Sequence, residues 1–115
     1  MKSQEQMRKG TTTVIVLSLL QELDRPVHGY EIIRELEARS EGYFRFQEGL
    51  VYPRLHEMER QGLLRAAWEG EEGARRRKLY TITDRGRRHL TEEVAQWRTF
   101  SAQVNALLGL EGSRA

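Results

Sequence analysis

The sequence predicts a mainly α fold with a small β-hairpin: three helices, the hairpin, then one long terminal helix. Three observations carry this. Apolar residues recur at helical spacing as far as Gln61 and again from Asp84. Between Leu63 and Thr83 the period drops to two, around a loop holding Gly70 and Gly73. Within "EGLVYPRLHEMERQGLL", residues 48–64, Val51, Leu55 and Met58 make a helical stripe that Gly62 stops.

In chain order, residues 1–10 are polar and read as a frayed tail. "TTTVIVLSLLQEL", Thr11 to Leu23, starts with capping threonines and is apolar almost all round, the pattern of a central helix. "DRPV" reads as a turn. A second helix runs from about His28 to Ser40, with Tyr30, Ile32, Ile33 and Leu36 on its buried face. After "EGYFRFQ" comes the third helix, with Pro53 close to its start. If that helix begins near Leu50, the proline lies in the first turn, where its missing N–H is harmless. If it begins at Glu48, Pro53 forces a kink. The strands "LLRAAWE" and "KLYTIT" alternate around the tip "GEEGARRR". Thr83 and Asp84 open the fourth helix. On it Leu90, Val94, Trp97, Ser101, Val104 and Leu108 repeat at intervals of 4, 3, 4, 3 and 4, until Gly109. Such a helix is about 39 Å long. The small body before it cannot cover that seam, which predicts pairing with a second copy of the chain, a homodimer.

Composition narrows the function. The 115 residues suit one domain, 38% hydrophobic and 31% charged, with no cysteine for disulfides or thiolate metal sites. The longest apolar run, "VIVLSLL", is too short to span a bilayer, and "MKSQEQMRKG" lacks the apolar core of a signal peptide. These features predict a soluble, cytoplasmic protein with no membrane association. "HEMER" begins like a zinc-protease motif but ends in Arg60, and His28, His56 and His89 share no ligand spacing. No phosphate loop or nucleophile elbow is present, so neither an enzyme, a metal nor a cofactor is expected.

Net charge is only +2, with a sequence pI of about 9.2. The cations cluster: "RRRKLYTITDRGRRH", residues 75–89, holds Arg75, Arg76, Arg77, Lys78, Arg85, Arg87 and Arg88 against a single Asp84. Three helices followed by a hairpin make a winged helix-turn-helix, and its wing is where Arg75 to Lys78 fall. Cations on a wing suit phosphate and minor-groove contacts to double-stranded DNA, with the third helix entering the major groove. Candidate DNA-binding residues are therefore Arg75, Arg76, Arg77 and Lys78 on the wing and Tyr52 and Arg54 on the third helix. Tyr52 either donates its hydroxyl to a phosphate or packs on Pro53, and Arg54 is expected exposed. Gln47 either reads a base edge or caps the third helix, and Tyr30 either packs or faces DNA.

Three linked blocks, "HGYEI" at 28–32, "GLVYPRLHEMERQGLL" at 49–64 and "RRRKLYTITDRGRRHL" at 75–90, resemble the PadR family of bacterial transcriptional regulators. The resemblance covers roughly residues 11 to 108. It implies a homodimeric repressor of the short subfamily, with one helix after the wing and responsiveness to small aromatic effectors. It divides the chain into a tail (1–10), a winged helix-turn-helix DNA-binding domain (11–83), a dimerisation helix (84–109) and a second tail (110–115). Trp97 matches a position that in some members stacks on flat aromatic ligands between paired helices; Val14 and Ser101 are read as lining the same space, and the seam spacing offers Leu90, Val94, Trp97, Val104 and Leu108 for dimerisation. Departures are mild: Leu50-Val51 stands for the usual Thr-Leu, and Leu79 for a tyrosine. Two rival readings use the same fold, a protein-interaction module that ignores DNA and a passive small-molecule-binding dimer.

Overall fold

Helix α1 (Gln4–Leu23) lies at the centre and packs on every later helix and on the sheet. The computed structural model describes residues 4–70 and 76–110, with side chains from Gly10 onward. Val16, Leu17, Leu19 and Leu20 are buried, as the all-round apolar pattern requires. The helix starts earlier than expected. It runs through the polar segment read as a tail, and Thr12 and Thr13 are buried in its interior rather than capping its end. The stretch "QEQMRK" is made of good helix formers, and propensity outweighs the capping signal there.

After α1, Asp24 turns the chain with φ 51°, a conformation that a short polar side chain tolerates. Val27 and His28 then form a short strand β1, where the sequence suggests the end of a turn and the start of the second helix. Helix α2 follows (Gly29–Arg39), then α3 (Glu48–Arg60). On α2 the buried positions are Gly29, Ile32, Ile33 and Leu36. Tyr30 was expected on that face but is 53% exposed, since Gly29 holds the inner position one residue earlier.

Val51, Leu55 and Met58 of α3 are fully buried, one stripe against α1 and α2. The helix begins at Glu48 and continues unbroken across Pro53. The N–H that proline lacks would have met the carbonyl of Gly49, an exposed residue whose oxygen water can serve. Gly62, at φ 81°, closes α3: its N–H bonds Glu59 O, and that of Leu63 bonds Met58 O, both in the left-handed cap pattern.

Strands β2 (Leu64–Glu69) and β3 (Arg77–Ile82) form the expected hairpin. The sheet has a third member, because β1 pairs with the outer side of β3 in the order β1-β3-β2, all antiparallel. Cross-strand pairs Leu64–Ile82, Ala66–Tyr80 and Trp68–Lys78 share one face, buried at its base and open at its tip.

Helix α4 (Asp84–Leu108) starts at Thr83, whose hydroxyl accepts from Gly86 N at 3.0 Å and donates to Gly62 O at 2.7 Å. One side chain thus joins the end of the wing, the end of α3 and the start of α4. Leu90 is 4% exposed and belongs to the core, so it is not on the free seam where the sequence spacing put it. Val94 is partly buried against the same core. Beyond it Trp97, Phe100, Leu107 and Leu108 are exposed, Leu107 by 88%.

Thr83→Ala removes the cap and the bond to Gly62 together. We expect a loss of about 1–2 kcal/mol in urea unfolding at fixed protein concentration, with Thr83→Ser close to the parent.

Candidate nucleic-acid interface

The front of α3, the start of α2 and the wing enclose an open cleft of about 520 Å³. Tyr52 and His56 face it from α3. His28, Gly29 and Tyr30 face it from β1 and α2, and Trp68, Arg76, Arg77, Lys78 and Tyr80 from the wing. Five residues expected to meet DNA (Tyr30, Tyr52, Arg76, Arg77 and Lys78) are therefore neighbours, although 48 positions separate the first from the last.

The seat of Tyr52 explains the "HGY" and "YP" blocks together. A Cβ on Gly29 would stand 2.4 Å from Tyr52 Cε1, so the ring lies directly on the α2 backbone. Only a residue without a side chain permits that approach. Burial, helped by the Glu48 carboxylate, holds the Tyr52 phenol above its ordinary pKa. The ring packs on Gly29 through Cε1 and Cζ and also lines the cleft.

Arg76 and Arg77 are exposed where β3 begins. The Arg76 guanidinium lies 5.4 Å from the centre of the Trp68 ring, a cation–π shelf that restrains a long side chain. Lys78 differs from the free cation expected there. Its ammonium pairs with Glu59 of α3 at 3.0 Å and lies between the rings of Trp68 and Tyr80. That pairing with Glu59 raises its pKa, while burial holds the Tyr80 phenol up. Arg75, the fourth member of the basic run, lies outside the described residues.

Arg54 and Gln47 do not line the cleft. Arg54 is half-buried rather than exposed. Gln47 is exposed at the N-cap of α3, where its carbonyl, not its side chain, accepts from Leu50 and Val51 N–H groups. His28, His56, Trp68 and Tyr80 are cleft residues that the sequence reading did not single out. Trp68 had a signal in its position opposite Lys78. The histidines had none, because β1 is needed to bring His28 to the front of α3.

The expected effector residues fall in two places. Val14 lines a groove of about 350 Å³ with Phe44, Phe46 and Val94. Trp97 and Ser101 lie outside it; Trp97 is 61% exposed beside Phe100, and the Ser101 hydroxyl donates to Arg98 O of its own helix. Among the described residues no group of acidic or histidine side chains can hold a metal ion, and no helix is long and apolar enough to cross a membrane.

Residues 16–92 match the model of the transcriptional regulator PadR-like family. The chain is 34% identical to a transcriptional regulator of Mycobacterium tuberculosis over 76% of its own length and 78% of the relative's. A PadR family regulator of Eggerthella lenta superposes with a TM-score of 0.72 at 34% identity, covering 90% of this chain and 82% of that one. A transcriptional regulator of Clostridium thermocellum gives 0.79 at 26% identity, over 88% and 96%.

Gly29→Ala should drive the Tyr52 ring off its seat at a cost of about 1–3 kcal/mol. The Tyr52 phenol, no longer buried, should then titrate lower, toward the ordinary tyrosine value, in an NMR pH titration. An unshifted Tyr52 would contradict the packing.

Proposed function

Because the chain belongs to the PadR-like family of transcriptional regulators, which bind DNA and are not enzymes, we propose that it acts as a homodimeric repressor on a near-palindromic operator. The observation that carries this reading is the cleft, whose walls bring the front of the third helix and the cations of the wing to one side of the molecule. In the proposed complex α3 enters the major groove, with Gln47 and Arg54 near its leading end. The Tyr30 and Tyr52 hydroxyls donate to the phosphodiester backbone, and the run that includes Arg75, Arg76 and Arg77 tracks the adjacent groove.

Dimerisation is supported by the apolar end of α4. Trp97, Phe100, Leu107 and Leu108 lie exposed along the part of α4 that follows Val94. Exposed apolar surface of that extent on one helix suits a second copy of the same helix. Val94, Trp97, Val104 and Leu108 remain the residues proposed for that contact; Leu90 supports it from within the core. An effector site at Trp97 then needs both copies: Ser101 lies one turn further along the same helix, but Val14 lines a separate groove. A flat aromatic molecule held there would change the distance between the two wings, a coupling of about 1–3 kcal/mol.

Two measurements test the reading. Reversing Arg76 and Arg77 to Glu should weaken DNA binding at least about 100-fold and flatten its salt dependence, which should have a slope of about −7 if roughly eight phosphates are neutralised. Unchanged binding would favour a protein-interaction module. Sedimentation at micromolar concentration should give twice the 13.5 kDa protomer mass, and a monomer would contradict the paired helices.

A further inference from the structure

Neighbouring cations on the wing differ in what holds them. Arg76 and Arg77 are exposed, whereas Lys78 turns inward along the face that carries Trp68 and Tyr80. Its ammonium lies 3.0 Å from Glu59 Oε1, 5.8 Å from the Trp68 ring centre and 5.7 Å from that of Tyr80. The paired side chains are 24% and 35% exposed, whereas Arg60 in the adjacent pair with Glu57 is 76% exposed. Glu59 sits in the last turn of α3, and Lys78 is the second residue of β3. This contact ties the outer part of the wing to the third helix, well away from the hairpin's base.

Resting on the DNA-binding reading, we infer that Glu59 and Lys78 are positioning residues that set the pitch of the wing against α3 and so contribute to operator discrimination rather than to phosphate binding. The physical reason lies in how a two-part reader discriminates. Phosphate contacts carry no sequence information, while base contacts from α3 do. A wing free to swing makes its phosphate contacts wherever α3 lies, so a wrong site loses little. A wing held at one angle to α3 makes full contact only when the helix is seated at the same time. The strut therefore raises the ratio of specific to non-specific affinity. It leaves the count of neutralised phosphates to Arg76, Arg77 and their neighbours.

The test uses the full chain, an operator duplex selected by the protein itself and a scrambled duplex of equal length, with affinities measured across a salt series. Arg77→Gln should flatten the logarithmic salt slope by about 0.9 for each protomer. Lys78→Gln should leave that slope unchanged yet lower the operator-to-scrambled ratio about threefold, within the range of one surface ion pair. Glu59→Gln should lower the ratio equally, and the double variant no further, because both singles break one contact. The inference is overturned if Lys78→Gln flattens the slope as Arg77→Gln does, or if Glu59→Gln leaves the ratio intact. A parent protein that binds neither duplex would overturn the DNA reading itself, a separate and recognisable result.

Discussion

The contact between the Tyr52 ring and the bare backbone of Gly29 is the constraint on which the rest of the head depends. Gly29 is the first residue of α2 and follows directly on β1, and β1 pairs with β3 of the wing. Seating Tyr52 there fixes the front of α3 against the one element already joined to the hairpin. Helix and wing are thereby referred to a common point instead of hinging independently about the turn at Gly62. A glycine inside a helix ordinarily costs about 0.5–1 kcal/mol, but at the first position it gives up little regular helix. Pro53 fits the same logic. It follows Tyr52 in a turn whose outward carbonyl belongs to exposed Gly49, and its ring fixes its own φ near the helical value.

Charge is divided along the same lines. Arg39 bonds Glu22 at 2.6 Å and Glu35 at 3.2 Å, tying α2 to α1, and Arg87 bonds Asp24 at 2.9 Å, tying α4 to the turn after α1. Arg25 pairs with Glu31, and Lys78 with Glu59. Each is a surface or half-buried pair of modest energy, about 0–1 kcal/mol. Each offsets one acidic group on the body and orients the elements it joins. At the wing, Arg76 and Arg77 form no ion pair with a described residue, so the clustered charge of that run is not offset locally. A net charge of +2 therefore understates the field on one face.

What was legible in the sequence follows from periodicity. The stripe of Val51, Leu55 and Met58, the stop at Gly62, the alternation in β2 and β3 and the cap at Thr83 are local signals, and the structure carries all of them. The third strand was not legible, because two residues have no period and β1 exists only through its pairing with β3. Tyr30 was assigned to the wrong face because a glycine carries no hydrophobic signal, yet Gly29 holds the inner position. Leu90 obeys the seam spacing and still lies in the core, since the first turns of α4 pack there and spacing alone cannot locate where its apolar residues become exposed. Lys78 looked identical to its arginine neighbours until strand register turned it toward Glu59. In the candidate site the residue types were readable and their company was not.

In the proposed complex α3 and the wing form one DNA-reading face that the pairing of α4 helices duplicates. Hydroxyl-radical footprinting of the purified protein on its own genomic DNA tests it most directly. Matched protected patches related by two-fold sequence symmetry are expected, centred about 10 bp or a multiple of that apart. A lone asymmetric patch, or uniform cleavage at every protein concentration, would contradict it.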